Sequence, residues 1–268
     1  MTALLSALGD GAVVAKRNLL KITRLPDLLV FSTVQPIMFV LLFAFIFGSG
    51  AIEIPGISYR EYLMGGIFVQ TVVFGATITG SGLADDVRKG IIDRFRSLPM
   101  ARSAVLIGRT TSDLLNNMLV VVIMAITGLF VGWRIHTPFY EAIWGFVLLL
   151  AFAYAISWVM ASVGLSVSSV EVVNNAAFLV IFPLTFISNA FVATSQLPGP
   201  LQTFAEWNPV SAVTEAVRVL FGNTSDQLPP SDAWPMENPI LASVLWIVVI
   251  LAVFIPVAID RYRRAAAR

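Results

Sequence analysis

Six of the seventeen Lys and Arg residues in this 268-residue chain fall within residues 85–109, DDVRKGIIDRFRSLPMARSAVLIGR. Val87, Ile91, Phe95 and Leu98 recur there at spacings of four, four and three, which places bulky apolar side chains on one side of a helix. Arg88, Lys89, Asp93, Arg94 and Arg96 fall mainly elsewhere around it. Pro99 disfavours helical backbone at Leu98 and ends the helix there. The stretch therefore reads as a short amphipathic helix, a turn at Leu98-Pro99-Met100, and the approach to an apolar run. A basic flank alone explains the arginines but not the apolar stripe, which has to be buried against lipid headgroups, its own protein or a partner. The chemistry open to such a segment is recognition: it is a knob on which a partner can push.

Reactive side chains are scarce elsewhere. There are no cysteines, which excludes disulfides, thiolate metal sites and cysteine nucleophiles. His136 is the one histidine and cannot build a multi-histidine metal site. A phosphate-binding loop needs GxxxxGK[ST], yet none of Lys16, Lys21 and Lys89 follows glycine, so the chain cannot be an ATPase by that motif. A net charge of +1 implies no nucleic-acid partner.

The elements that must position the knob are apolar. The chain is 57% hydrophobic and 12% charged, about half the charge of an average soluble domain, so the bilayer is the expected solvent. Six apolar stretches reach the ~20 residues that a bilayer crossing needs: near 28–48, 62–84, 114–133, 142–165, 172–195 and 238–259. None contains Asp, Glu, Lys, Arg or His within those limits. Fourteen of the basic residues then lie on one side, in the N-terminus, residues 85–113 and the C-terminus; Arg60, Arg134 and Arg218 lie on the other. By the positive-inside rule both termini are cytoplasmic, and Trp133, Trp144 and Trp234 sit near the outer interface. Residues 1–27 are expected to form a cytoplasmic interfacial helix. Leu5, Leu8, Ala12, Ala15, Leu19 and Ile22 line one face, and Arg17, Lys21 and Arg24 another; a plain positive topology flank is the alternative. The N-terminus does not have the pattern of a cleaved signal peptide. Residues 28–260 form the membrane domain and 261–268 a basic tail. Fourteen arginines against three lysines suggest a bacterial source.

Residues 65–109, GGIFVQTVVFGATITGSGLADDVRKGIIDRFRSLPMARSAVLIGR, resemble the membrane subunits of type-2 ABC exporters, in particular the daunorubicin-resistance type permeases. The six-span layout, the Arg24-Leu25-Pro26 triplet and the block LPGPLQTFAEWNPVSAVTEAVR extend the resemblance over most of the chain. It implies an all-α integral membrane protein with a cytoplasmic coupling helix. The family pattern maps onto Gly90, Asp93, Arg94, Ser97, Leu98 and Pro99, and with the stripe the expected coupling set is Val87, Gly90, Ile91, Asp93, Arg94, Phe95, Arg96, Ser97, Leu98 and Pro99. The resemblance also implies a separate ABC ATPase subunit in two copies, which binds the ATP and Mg, and a second membrane subunit, identical or related. Ala212 departs from the family, which often carries a bulkier or polar residue there.

Between the last two spans, residues 196–237 are too long for a plain link. Asn208-Pro209 is a good helix start and Gly222 a good stop, with Val213, Val217, Leu220 and Phe221 on an apolar face. This segment is expected to re-enter or lie on the outer leaflet. Glu215 and Arg218, three apart, are expected to form an exposed pair of little worth. Asn223-Thr224-Ser225 fits a glycosylation acceptor by chance. Gly65, Gly66, Gly75, Gly80 and Gly82 are expected to let helices approach closely.

The absence of charge in the spans argues against ion-coupled transport and favours a lipophilic or amphipathic cargo: a drug-like compound, or an envelope lipid or lipid-linked glycan. Gln35, Phe68, Gln70, Phe74, Asn174, Asn175 and Asn189 are the candidate pathway residues. Each amide has a second reading, as a helix–helix hydrogen bond. A non-transporting membrane scaffold is the rival of a different class. No catalytic or metal site is expected.

Overall fold

The computed structural model describes residues 26–47, 54–92, 102–167, 169–229 and 231–265. Most of the expected interfacial helix, and Asp93, Arg94, Phe95, Arg96, Ser97, Leu98 and Pro99 of the coupling set, lie outside those residues. Every regular element among the described residues is helical, as composition and pattern require.

Helix α1, Pro26–Leu42, carries Pro36 in its interior and passes into a π-helical turn, Phe43–Phe47. The second apolar run is split into α2, Tyr59–Gly75, and α3, Thr77–Arg88. The break is local: Thr77 Oγ1 donates to Phe74 O at 2.7 Å, and a hydroxyl that takes a preceding carbonyl bends a helix, here directly after a glycine. Helix α3 ends at Lys89 and Gly90, whose φ of 64° is left-handed, and helical backbone resumes at Ile91 and Ile92. This corrects the expected continuous stripe. Val87 belongs to the last turn of α3, Gly90 is the stop, and Ile91 starts afresh, because glycine at this position terminates the helix.

Helix α4, Arg102–Val131, starts well before the apolar run that was read from sequence. Helix α5, Phe139–Gly164, is the central element and packs against α2, α3, α4 and three later helices. Helix α6, Val170–Phe186, is capped by Ser169, whose hydroxyl accepts from Val172 N at 3.3 Å. It ends nine residues short of the apolar run expected to reach 195, since Pro183 and the following turn divert the chain. Short helices α7, Gly199–Glu206, α8, Pro209–Phe221, and α9, Trp234–Glu237, precede α10, Pro239–Ala265. Among the described residues, four stretches are long and apolar enough to cross a membrane: Tyr59–Arg88, Val105–Val131, Phe139–Gly164 and Pro239–Arg264; Val34–Ile46 and Val170–Phe186 are shorter apolar helices.

The main core gathers α2, α4, α5, α6 and α8 around Phe68, Phe152 and Phe221. A second cluster at the Arg88 end joins Leu83, Ile92, Leu106, Trp158 and Tyr262, so the residue pair after Gly90 is anchored to the bundle through Ile92. Arg261 Nη1 donates to Ser162 O at 2.8 Å and ties α10 to α5 at the same end.

Candidate functional site

Helices α1, α2, α4 and α6, with the start of α3, enclose a half-open cavity of about 270 Å³. One wall carries amides: Gln35 of α1, Gln70 of α2, and Asn116 and Asn117 of α4. The other is aromatic: Phe39, Phe74, and Phe178, Phe182 and Phe186 of α6. The three α6 rings follow one another at spacings of four, which stacks them on one helix face; their centroids are 4.9 and 4.2 Å apart. Phe191 and Phe43 continue the series towards α1, with centroids 5.1 Å and 4.9 Å apart. No ionisable side chain lines this cavity among the described residues. It can therefore solvate a mainly apolar molecule with a few hydrogen-bonding groups.

Of the seven pathway residues expected from sequence, Gln35, Gln70 and Phe74 come together here. Phe68 does not: it is fully buried in an aromatic cluster with Trp133, Phe146 and Phe221. Asn174 accepts from Ser81 Oγ at 2.7 Å, a helix–helix bond between α6 and α3, and Asn175 is exposed. Asn189 sits in the turn after α6, in a separate polar cavity of about 430 Å³ with Tyr62, Glu215 and Met236. The sequence reading missed Phe178, Phe182 and Phe186, whose i, i+4, i+8 spacing was a visible signal, and Asn116 and Asn117, which fall in the first turn of the apolar run expected from 114.

Two arginines, Arg218 buried and Arg109 part-buried, fasten the helices that wall the cavity. Arg218 of α8 is 1% exposed. Its Nε donates to Tyr62 O at 2.9 Å, and its Nη2 to Asn189 O and Ala190 O at 2.8 and 3.2 Å. Its guanidinium lies 3.5 Å from the Tyr62 ring centroid, and its Nη1 lies 3.3 Å from Glu215 Oε2. The exposed, near-worthless pair expected from sequence is thus corrected: the cation is buried and serves backbone. Gly65 leaves room for its side chain, and a Cβ at Gly66 would overlap the Ala190 carbonyl. Asn208 completes the joint. Its Oδ1 accepts from Val210 N at 2.9 Å, and its Nδ2 donates to Leu184 O and Ile187 O at 2.7 and 2.8 Å. One side chain therefore caps the start of α8 and satisfies carbonyls that the end of α6 leaves orphaned.

The second arginine, Arg109 of α4, donates from Nε to Asp113 Oδ2 at 3.1 Å and from Nη2 to Ile78 O at 3.0 Å. Thr79 Oγ1 of α3 donates to the same Asp113 oxygen at 2.7 Å. Gly82 leaves the space that the guanidinium fills.

Other expectations also meet the geometry. Trp144 and Trp234 are exposed, but Trp133 is buried and donates from Nε1 to Asn223 Oδ1 at 2.6 Å, so it is core and not an interface anchor. Asn223 also donates to Arg134 O at 2.9 Å and is buried, which leaves no free amide for a glycan. His136 Nε2 lies 2.7 Å from Glu61 Oε1 and links the loop after α4 to the first turn of α2.

The described residues form an all-helical bundle with helices long and apolar enough to cross a membrane, which is the architecture of a membrane domain. The chain belongs to the ABC-2 type transporter family, which it matches over residues 12–221. It is 32% identical over 209 residues to the daunorubicin resistance ABC transporter permease protein DrrB1 of Streptomyces coeruleorubidus, covering 78% of this chain and 74% of that one. It is 26% identical over 214 residues to the putative transport permease ycf38 of Porphyra purpurea, covering 78% and 72%. The ycf38 protein of Cyanophora paradoxa is 24% identical over 216 residues, covering 80% and 74%. The chain is the permease subunit of an ABC-2 type transporter, and the family implies an ATPase partner.

Proposed function

We propose that the chain exports a lipophilic or amphipathic molecule, drug-like or lipid, across the cytoplasmic membrane when a separate ATPase subunit drives it. The carrying observation is the cavity between α1, α2, α4 and α6, with amides on one wall, stacked phenylalanines on the other, and no ionisable group among its described lining. A neutral lining of this kind supports cargo that arrives from the bilayer and offers no site for coupling to an ion gradient. Both termini and residues 85–101 face the cytoplasm, and six segments span. Four are the long helices; the others are α1 with its π-helical turn, and α6, whose irregular continuation at 187–193 is buried against α8. Buried irregular backbone is the form that membrane depth tolerates.

Two ATPase copies dock on residues 87–99 and bind ATP and Mg, and a second membrane subunit faces the aromatic wall. ATP binding shifts an inward–outward equilibrium because the closed ATPase pair interacts differently with the two states. The test is reconstitution with the partner ATPase in inside-out vesicles, with daunorubicin as the probe, chosen for the name of the Streptomyces relative. ATP-dependent uptake and probe-stimulated hydrolysis are expected in the wild type. Substituting Phe95 or Leu98 by Glu is expected to leave ATP hydrolysis but abolish uptake. Probe-independent hydrolysis without uptake of daunorubicin or of a fluorescent phospholipid would make the chain a scaffold.

A further inference from the structure

Helices α3 and α4 are the two elements that lead into and out of the charged segment at residues 89–101. They are joined by more than packing. Asp113 Oδ2, on α4, accepts from Thr79 Oγ1 of α3 at 2.7 Å and from Arg109 Nε at 3.1 Å. Arg109 Nη2 reaches back to Ile78 O at 3.0 Å. Thr79 is fully buried, and the Asp113 and Arg109 side chains are nearly so. Gly82, one turn further along α3, admits the guanidinium; a side chain there would collide with it. Hydrogen bonds in which a partner is charged are stronger than neutral ones, and the shortest here is the 2.7 Å bond from Thr79.

The position of this join matters as much as its strength. On one side lies the charged segment. On the other, Thr77 and Ile78 of α3 and Asn116 and Asn117 of α4 form part of the cavity wall. Helix α3 starts immediately after the break at Ala76, and α2 beyond that break is held by Arg218 of α8. The run from Tyr59 to Arg88 is therefore divided at the cavity, with each half fastened to a different helix.

We infer that Thr79, Arg109 and Asp113 are positioning residues that latch α3 and the adjoining part of α4 into one lever. The lever receives force at residues 89–101, turns about the break at Ala76, and carries Thr77, Ile78, Asn116 and Asn117 of the cavity wall with it. Without the latch, a push on the charged segment would separate α3 from α4 before it reached the cavity. The inference rests on the coupling role proposed above for that segment.

The chain has no cysteine, so spin labels placed at Arg88→Cys on α3 and Met118→Cys on α4, in a complex with a cysteine-free ATPase, report the latch without background. The full complex with its ATPase is measured in lipid nanodiscs. In the wild type the 88–118 distance distribution is narrow and does not change when ATP is trapped, whereas the distance from residue 88 to Tyr140→Cys on α5 does. Thr79→Val is expected to broaden the 88–118 distribution and to lower daunorubicin uptake per ATP hydrolysed by about tenfold, within the range that coupling substitutions produce. Thr79→Ser, which keeps the hydroxyl, restores both; a merely structural threonine would not separate Val from Ser in uptake per ATP at matched melting temperature. If Val and Ser behave alike in both readouts, the inference is overturned. If the wild-type complex shows no uptake, the proposed function fails; the width of the 88–118 distribution without nucleotide, compared between Val and Ser, still decides the latch.

Discussion

Both arginines bind a carboxylate on their own helix, yet they do different work. Arg218 is far more buried than its partner: 1% of its side chain is exposed against 27% for Glu215. Most of its donors go to three backbone carbonyls, two of them in the irregular turn after α6. Arg109 and Asp113 are buried together, and their joint reach across to α3 is one carbonyl and one threonine hydroxyl. The first arginine replaces hydrogen bonds that the backbone at 187–190 cannot make for itself. The second joins two helices whose own ladders are already complete. The folded state should therefore depend on Arg218, and the transmission of motion on Arg109.

The largest expected effect follows from that asymmetry. Arg218→Leu leaves the Asn189 and Ala190 carbonyls without this donor, and leaving a buried acceptor unsatisfied costs about 1–3 kcal/mol each. The thermal unfolding temperature in detergent should fall sharply, with loss of folded yield. Arg218→Lys should recover only part, because one ammonium cannot reach three carbonyls with the geometry of a guanidinium. A leucine variant that melts with the wild type would break the comparison.

The glycines sharpen it. A methyl at Gly66 would overlap the backbone carbonyl of Ala190, whereas a methyl at Gly82 would meet the far end of the Arg109 side chain. Backbone cannot move aside cheaply, and a flexible side chain can. Gly66→Ala should cost about 1–3 kcal/mol in unfolding. Gly82→Ala should change the melting temperature little but reduce uptake per ATP hydrolysed, since it displaces the guanidinium from Ile78 O. Equal loss of stability from the two would remove the distinction between joint and latch.

What could be read from the sequence divides along the same line. Helix α8 was legible to its ends: Asn208 caps it, Pro209 opens it, Gly222 closes it with φ 70°, and Val213, Val217 and Phe221 are buried. Those signals are local. The apolar runs were legible as helices for the same reason, since apolar length is written in composition. The burial of Arg218 was not, because the carbonyls that hold it come from Tyr62, Asn189 and Ala190, which only the tertiary fold brings beside α8. Nor was the stop at Gly90: a periodicity of four and three carries straight through a glycine, and only its left-handed backbone shows that the stripe is cut. Asn189 and Phe68 were judged by residue type within an apolar run. The turn after Phe186 and the aromatic core around Trp133 then claimed them for packing.

The smallest expected effect lies between the two arginines. Gln70 is buried in the cavity wall, and its side chain takes part in neither joint nor latch. Replacing its amide with a leucine of similar size removes a hydrogen-bonding group from the site without opening space. If the cargo bonds to that amide, the loss is about 0.5–1.5 kcal/mol, a shift of roughly twofold to tenfold in the daunorubicin concentration that half-saturates stimulated hydrolysis. Melting temperature and unstimulated hydrolysis should stay at wild-type values, because the substitution touches neither arginine. A change in unstimulated hydrolysis would place Gln70 in the moving parts and not in the cavity's recognition surface. An unchanged half-saturating concentration would leave the phenylalanine wall as the part of the cavity that holds this probe.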